Sequence, residues 1–204
     1  MSKIVVLGAG ISGHTAAAHL RRKLSKEHEV LVVSPNRNYQ WVPSNIWVGI
    51  GRMKSKEVIF PLEPLYKRKG IGYKQAKAVS FHPEGDSSEA KPYILVEGVF
   101  GDNLGKQEKV TYDYLINATG PKLAFDMTEG LQPATNKVYS VCTYDHAEHA
   151  SEALHKLIDQ LKKSDKKAKI LIGTGHAKAT CQGAAFEYIL NVEKELQKFG
   201  VRDK

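Results

Sequence analysis

The chain opens on an apolar run, residues 4–7 (IVVL), followed at once by Gly8, Gly10 and Gly13 and then by the small residues Thr15, Ala16, Ala17 and Ala18. A run this short, apolar at every position, predicts a strand buried on both faces, and the small residues after it predict a helix start. That helix continues to about Ser25, with Arg21, Arg22 and Lys23 on its wet side. Residues 29–34 (EVLVVS) repeat the apolar run and close a strand–helix–strand unit of about thirty residues.

Beyond it the pattern changes. Residues 38–51 hold two Trp, a Tyr and a Pro between glycines and fit neither an amphipathic helix nor a surface strand. Such a connection either packs as satellite core or covers a ligand. A short helix is expected over 61–69, a strand over 72–81, and the outer strands of an antiparallel meander over 93–99 and 109–112, separated by polar 83–91 and an Asp102-Asn103 turn. Residues 114–120 (YLINATG) read as another buried strand that returns beside the first. After Pro121 the chain starts again. A helix over 143–161 carries Ala147, Ala150, Leu154, Leu157, Ile158 and Leu161 at near-helical spacing, a strand is expected over 169–172, and Gly173-Thr174-Gly175 leads to a helix over 179–199. The expected organisation is α/β, with one domain over 1–120 and a second, short for a doubly wound domain, over 121–204.

The glycines carry the first chemistry. In G-x-G-x-x-G spacing, Gly8 allows the turn, Gly10 lets backbone approach a pyrophosphate, and Gly13 lets helix and strand pack closely. The helix N-terminus offers unpaired N–H groups and a positive dipole end, so the expected ligand is a dinucleotide. The end of the second strand, where such units usually carry an acid for the ribose, holds Ser34, Pro35 and Asn36 instead. Ser34 or Asn36 is left as the ribose partner. Thr119 and Gly120 belong at the same carboxyl edge of the sheet. In the second unit Lys178 stands where a third glycine would, which weighs against strong nicotinamide-dinucleotide binding there.

Charge changes the picture little. The net charge is +8, yet its densest run, Lys162, Lys163, Lys166, Lys167 and Lys169, reads as a helix end and solvated turn. No interleaving of aromatic and basic residues points to nucleic acid. No apolar run approaches the roughly 20 residues that span a bilayer. The N-terminus enters a strand with no signal-peptide pattern, so a cytoplasmic start is expected.

Two cysteines, Cys142 and Cys181, match neither a zinc nor a C-x-x-C spacing, and no metal is expected. Free cysteines are most often buried. Cys181 falls in the expected first turn of the last helix, where the dipole favours a thiolate. Cys142 lies four residues before His146, an available proton partner.

The segments GAGISG, VPSNIWVG (42–49), DYLINATGPKLAF (113–125), SVCTYDHAE (140–148) and TCQGAAFEY (180–188) together resemble sulfide:quinone oxidoreductase, a flavoprotein family with two dinucleotide-binding domains. The likeness runs the length of this chain but covers about the N-terminal half of such an enzyme. It implies a Rossmann-like FAD-binding domain with an antiparallel β meander, plus the start of a second Rossmann-like domain. It also implies FAD held by Gly8, Ala9, Gly10, Ile11, Ser12 and Gly13 at the pyrophosphate and by Ser34 and Pro35 at the ribose. Val42 would lie on the flavin side, the backbone of Ala78 at the adenine, and Thr119 and Gly120 on the return strand. Cys181 then corresponds to a cysteine that carries the growing sulfur chain with a C-terminal partner, and Cys142 to one near the flavin edge or sulfide entry. His146 and Glu187 correspond to proton-handling groups. The implied partners are sulfide, a membrane quinone, and a membrane surface reached through a C-terminal region absent from this sequence, giving peripheral association. No nucleic acid is implied, and a homo-oligomer is left open. On that reading the chain alone is expected not to complete sulfide-to-quinone turnover. Two alternatives stay open within the enzyme class, the flavoprotein subunit of a flavocytochrome c sulfide dehydrogenase and a type II NADH dehydrogenase-like enzyme. A third is a non-catalytic dinucleotide-binding domain.

Overall fold

The apolar run at the N-terminus forms β1 (Lys3–Leu7) and pairs in parallel with β2 (Glu29–Ser34). Between them runs α1 (Ile11–Lys23), which ends two residues before the expected Ser25. The computed structural model describes residues 1–132, 138–179 and 181–204, in two compact units: Met1–Gln40 with Phe60–Pro121, and Trp41–Ile59 with Lys122–Lys204.

In the first unit the chain continues through a short β3 (Asn38–Gln40). In the second, a 3-10 turn at Val42–Ser44 leads into α2 (Asn45–Gly49) and α3 (Ser55–Val58). The aromatic connection is thus a set of short elements rather than one irregular loop. β4 (Ile59–Pro61) and α4 (Leu62–Lys69) return to the first unit, followed by β5 (Gly72–His82), β6 (Tyr93–Gly98), β7 (Gln107–Thr111) and β8 (Tyr114–Asn117). The six-stranded sheet has the order β7-β6-β5-β2-β1-β8. β8 returns beside β1 in parallel, as expected, with Leu7 opposite Asn117.

β5 joins two kinds of pairing. Its residues Gly72 to Gln75 pair in parallel with β2, and from Ala76 to His82 it pairs antiparallel with β6, with a register shift between Ala78 and Ser80. β6 and β7 complete the antiparallel meander. Because β1 and β2 are central, alternate residues supply both faces. Val6, Val30 and Val32 join Ala17, Leu62 and Tyr66 in one buried cluster, while Val5, Leu7, Leu31 and Val33 join Ala76, Ile94, Val96 and Val110 in another. Each such aliphatic side chain contributes about 1.5–3 kcal/mol of burial, which explains why residues 4–7 and 30–33 carry no polar side chain.

α1 also carries His14, half-buried among Tyr39, Phe60 and Tyr66, with its Nδ1 3.2 Å from the Tyr66 hydroxyl. Burial, then the nearby Lys69 ammonium, lower its pKa from the ordinary 6.5.

The second unit is helical, adding α5 (Tyr144–Lys162) and α6 (Gln182–Lys198). The expected stripe of α5 holds: Ala147, Ala150, Leu154, Ile158 and Leu161 are buried, and Leu157 packs beside them. Ile50, Leu154, Ile158, Leu161, Val192 and Val201 form one cluster, and Val48, Val58 and Ala147 another. Glu195 is 1% exposed and ion-pairs with Arg52 Nε, with Lys198 at 3.7 Å.

Two expectations fail here. Residues 169–172 form no strand, and Leu171 is 83% exposed. A strand needs a partner for its N–H and C=O groups, and among the described residues no strand follows β8. The last helix starts at Gln182, with Cys181 at its N-cap, rather than at residue 179; Thr180, within that expected span, lies outside the described residues.

Two outcomes follow from this packing. Arg52→Met leaves the Glu195 carboxylate buried without its main partner and should cost about 3 kcal/mol or more. The paired Arg52→Met/Glu195→Leu variant should recover most of that loss in denaturant unfolding. His14, its folded pKa lowered below its unfolded one, binds fewer protons folded than unfolded. Its stabilising contribution is therefore complete above pH 6.5 and is lost as pH falls through that value. Unfolding midpoints between about pH 5 and about pH 8 should show this slope in the native chain, and a flatter one in His14→Gln.

Candidate functional site

The glycine turn is built by backbone contacts that exclude a side chain. Gly8 has φ +93°, and a Cβ there would lie 2.3 Å from the Ala118 carbonyl oxygen and 3.1 Å from Thr119 Cα. At Gly13 a Cβ would lie 2.0 Å from the Gly8 carbonyl oxygen. Gly10 differs, because a Cβ there would meet nothing within 4 Å. Two glycines thus serve the packing of α1 against β1 and β8, and the third leaves space open.

That space lies at the start of α1. Gly10 is the N-cap, no side chain caps the helix, and its first turn contains no acidic residue. The His14 N–H closes the first helical bond on the Gly10 carbonyl at 2.9 Å. The earlier N–H groups of the first turn, including those of Ile11, Ser12 and Gly13, have no carbonyl four residues back within the helix. An uncapped, acid-free helix start next to an open glycine fits an anionic group such as a pyrophosphate. Ala9 is buried beneath the turn, while Gly10, Ile11 and Ser12 are exposed.

The strand ends supply the flanks. Ser34 is buried at the end of β2, and its hydroxyl accepts the Asn36 N–H at 3.3 Å. Pro35 and Asn36 are exposed; β5 holds them from below, with Gln75 donating to the Pro35 carbonyl at 3.3 Å and Tyr73 to the Asn36 carbonyl at 2.6 Å. Burial pushes the Tyr73 hydroxyl up to about 12, which keeps it a donor. Ala78 is half-buried three residues beyond Gln75, the partner of Ser34, and sits opposite Val96. Thr119, just past β8, donates through its hydroxyl and its N–H to the Asn117 side-chain oxygen, and Gly120 follows with φ +69°. The structure therefore brings the residues around Thr119 against Gly8, as the sequence implied.

The second unit holds the other candidates. Val42 is exposed in the turn before α2. Both cysteines are exposed and free, which corrects the expectation of buried thiols. Cys142 precedes Thr143, the N-cap of α5, and its N–H donates to the Ser140 hydroxyl at 3.0 Å. Cys181 is the N-cap of α6, again with no side-chain cap and no acid in the first turn. His146 lies in the first turn of α5 with its ring edge-on to Phe125 at 5.4 Å, and its buried Nδ1 has no partner among the described residues. Glu187 is exposed on α6.

Contacts that the pattern along the chain does not show also appear. The Tyr188 hydroxyl donates to the Gly49 carbonyl at 2.9 Å, and burial pushes its pKa up to about 12. Trp47 packs against the cluster that contains Ile50, while Trp41 is exposed. An open cleft of about 450 Å³ is lined by Val48, Met53, Lys54, Glu148, Ser151 and Glu152 among others, none of them a predicted site residue. Among the described residues no cluster of three His, Cys, Asp or Glu side chains suits a metal ion, and no helix is long and apolar enough to cross a membrane.

Comparison with known proteins matches this arrangement. The chain is 28% identical to the sulfide-quinone reductase of Aquifex aeolicus (strain VF5), over 98% of this chain and 41% of that protein. It is 27% identical to the mitochondrial sulfide:quinone oxidoreductase of Dictyostelium discoideum, over 100% of this chain and 41% of that one. The X-ray structure of the Aquifex aeolicus sulfide:quinone oxidoreductase superposes with a TM-score of 0.80 at 26% identity, covering 100% of this chain and 42% of that one. The chain thus spans about two-fifths of the length of these relatives. Residues 2–184 match the model of the pyridine nucleotide-disulphide oxidoreductase family, and the chain belongs to that family.

Proposed function

We propose that this chain is the FAD-holding and sulfide-handling portion of a sulfide:quinone oxidoreductase. The observation that carries this reading is the uncapped, acid-free start of α1 beside the open Gly10, in a chain similar along its whole length to two such enzymes. The turn from Gly8 to Gly13 holds the pyrophosphate on the backbone N–H groups of the helix start, the Gly8 N–H itself being donated to the Val33 carbonyl at 2.8 Å. Ser34 and Pro35 meet the ribose, the Ala78 backbone meets the adenine, and Thr119 and Gly120 border the cofactor on the return strand. Val42 belongs to the flavin side. Bound FAD supplies a two-electron acceptor.

The sulfur chemistry falls to the exposed thiols. Oxidation of one hydrosulfide ion and one thiol to a persulfide anion releases two electrons and two protons. Cys181 is the thiol that keeps the sulfur, and its exposed place at a helix start leaves it open to exchange. Cys142 stands at sulfide entry. His146, whose buried Nδ1 has no partner among the described residues, takes a released proton, and Glu187 passes protons to solvent. The electrons leave to a quinone at a membrane surface.

The test is an absorption spectrum of the purified chain after incubation with FAD and desalting, followed by anaerobic sulfide. The flavin band should be retained and should bleach, at least about tenfold more slowly in Cys181→Ser. Gly10→Ala should fold as stably as the native chain, since its Cβ enters open space, yet lose the flavin. A folded native chain that retains no flavin, or a Gly10→Ala variant that binds it equally well, would contradict the proposal.

A further inference from the structure

Gly49 lies where the two cysteine-bearing segments meet. It is buried at the end of α2, and a Cβ there would lie 2.7 Å from Val141 Cγ1, 3.0 Å from Tyr188 Cε2 and 3.2 Å from the Tyr188 hydroxyl. Val141 immediately precedes Cys142. Tyr188 lies seven residues, about two helical turns, after Cys181, the N-cap of α6. Glu195, seven residues further, stands on the same side of α6 as Tyr188 and pairs with Arg52, three residues after Gly49. Val192 is buried between the two anchors.

From these contacts we infer that Gly49 is a positioning residue that sets the separation of Cys142 from Cys181. Its missing side chain lets Val141 and the Tyr188 ring close in from two directions, and its carbonyl takes the Tyr188 hydroxyl. Arg52 fixes the far end of the same face of α6 through Glu195, so the helix cannot pivot about a single contact. Gly49 does not adopt a positive φ, so what forbids a side chain there is the neighbours and not the backbone. The inference rests on the reading of Cys142 and Cys181 as the reacting thiols only for its catalytic consequence; the placement itself is geometric.

The chain's two cysteines make the test direct. Nitroxide labels on Cys142 and Cys181 report their separation by pulsed electron spin resonance in the full chain, without cofactor. Gly49→Ala forces a 2.7 Å contact out to an ordinary carbon–carbon distance of about 3.5–4.0 Å. The mean separation should shift by about 1 Å or more and its distribution should broaden. Tyr188→Phe, which keeps the ring and loses the hydroxyl, should broaden the distribution and decides the matter if Gly49→Ala does not fold. Gly173→Ala, whose Cβ enters open space, should leave both unchanged. Unaltered distributions in folded Gly49→Ala or, where that variant fails to fold, in Tyr188→Phe would overturn the inference. Bleaching of the flavin by sulfide should slow about tenfold to a hundredfold in Gly49→Ala. A native chain that binds flavin but never bleaches would sink the sulfide reading, while the label distances would still decide the placement.

Discussion

The first unit depends on one approach of backbone to backbone, Gly13 of α1 against the carbonyl of Gly8. A methyl group in that gap would overlap the oxygen at 2.0 Å, so the helix packs this close only because no side chain is there. The same approach brings the start of the helix to the carboxyl edge of β1. Gly8 in turn lies against Ala118, which ties the return strand to the turn. Two forbidden side chains and one open position therefore leave an uncapped, acid-free helix start open at a sheet edge. The buried aliphatic residues of β1 and β2 supply the rigidity that holds it.

The second unit solves another problem with similar means. Its helices expose two thiols, each at the head of a helix, while burying a carboxylate and a tyrosine hydroxyl deeper in the packing. A buried Glu195 is tolerable because Arg52 reaches it and Lys198 lies near. The thiols are kept accessible and the groups that hold the helices together are kept dry.

The strand–helix–strand unit, the return of residues 114–117 beside β1 and the apolar stripe of α5 were legible along the chain, because each rests on local periodicity. Glycine spacing told correctly that Gly8 and Gly13 could not carry a side chain. The strand over 169–172 was misread because an apolar run records a tendency and not the presence of a partner. The exposure of the cysteines was hidden for a related reason: burial belongs to what packs over a residue, and nothing in its own neighbourhood in sequence reports that. Gly49, Tyr188, Arg52 and Glu195 meet across more than a hundred residues, so no window on the sequence contains them together. Only the seven-residue spacing of Tyr188 and Glu195 hinted that they share a helix face.

A dinucleotide held on the backbone of the first turn would register at that backbone in amide hydrogen exchange with and without FAD. Protection strongest at the amides of Gly10 to Gly13, with a weaker effect at Ser34 to Asn36 and near Thr119, is the expected result. Exchange at Gly10 to Gly13 that is unaltered by saturating FAD, or protection that appears only around Gly173 and Gly175, would contradict that placement.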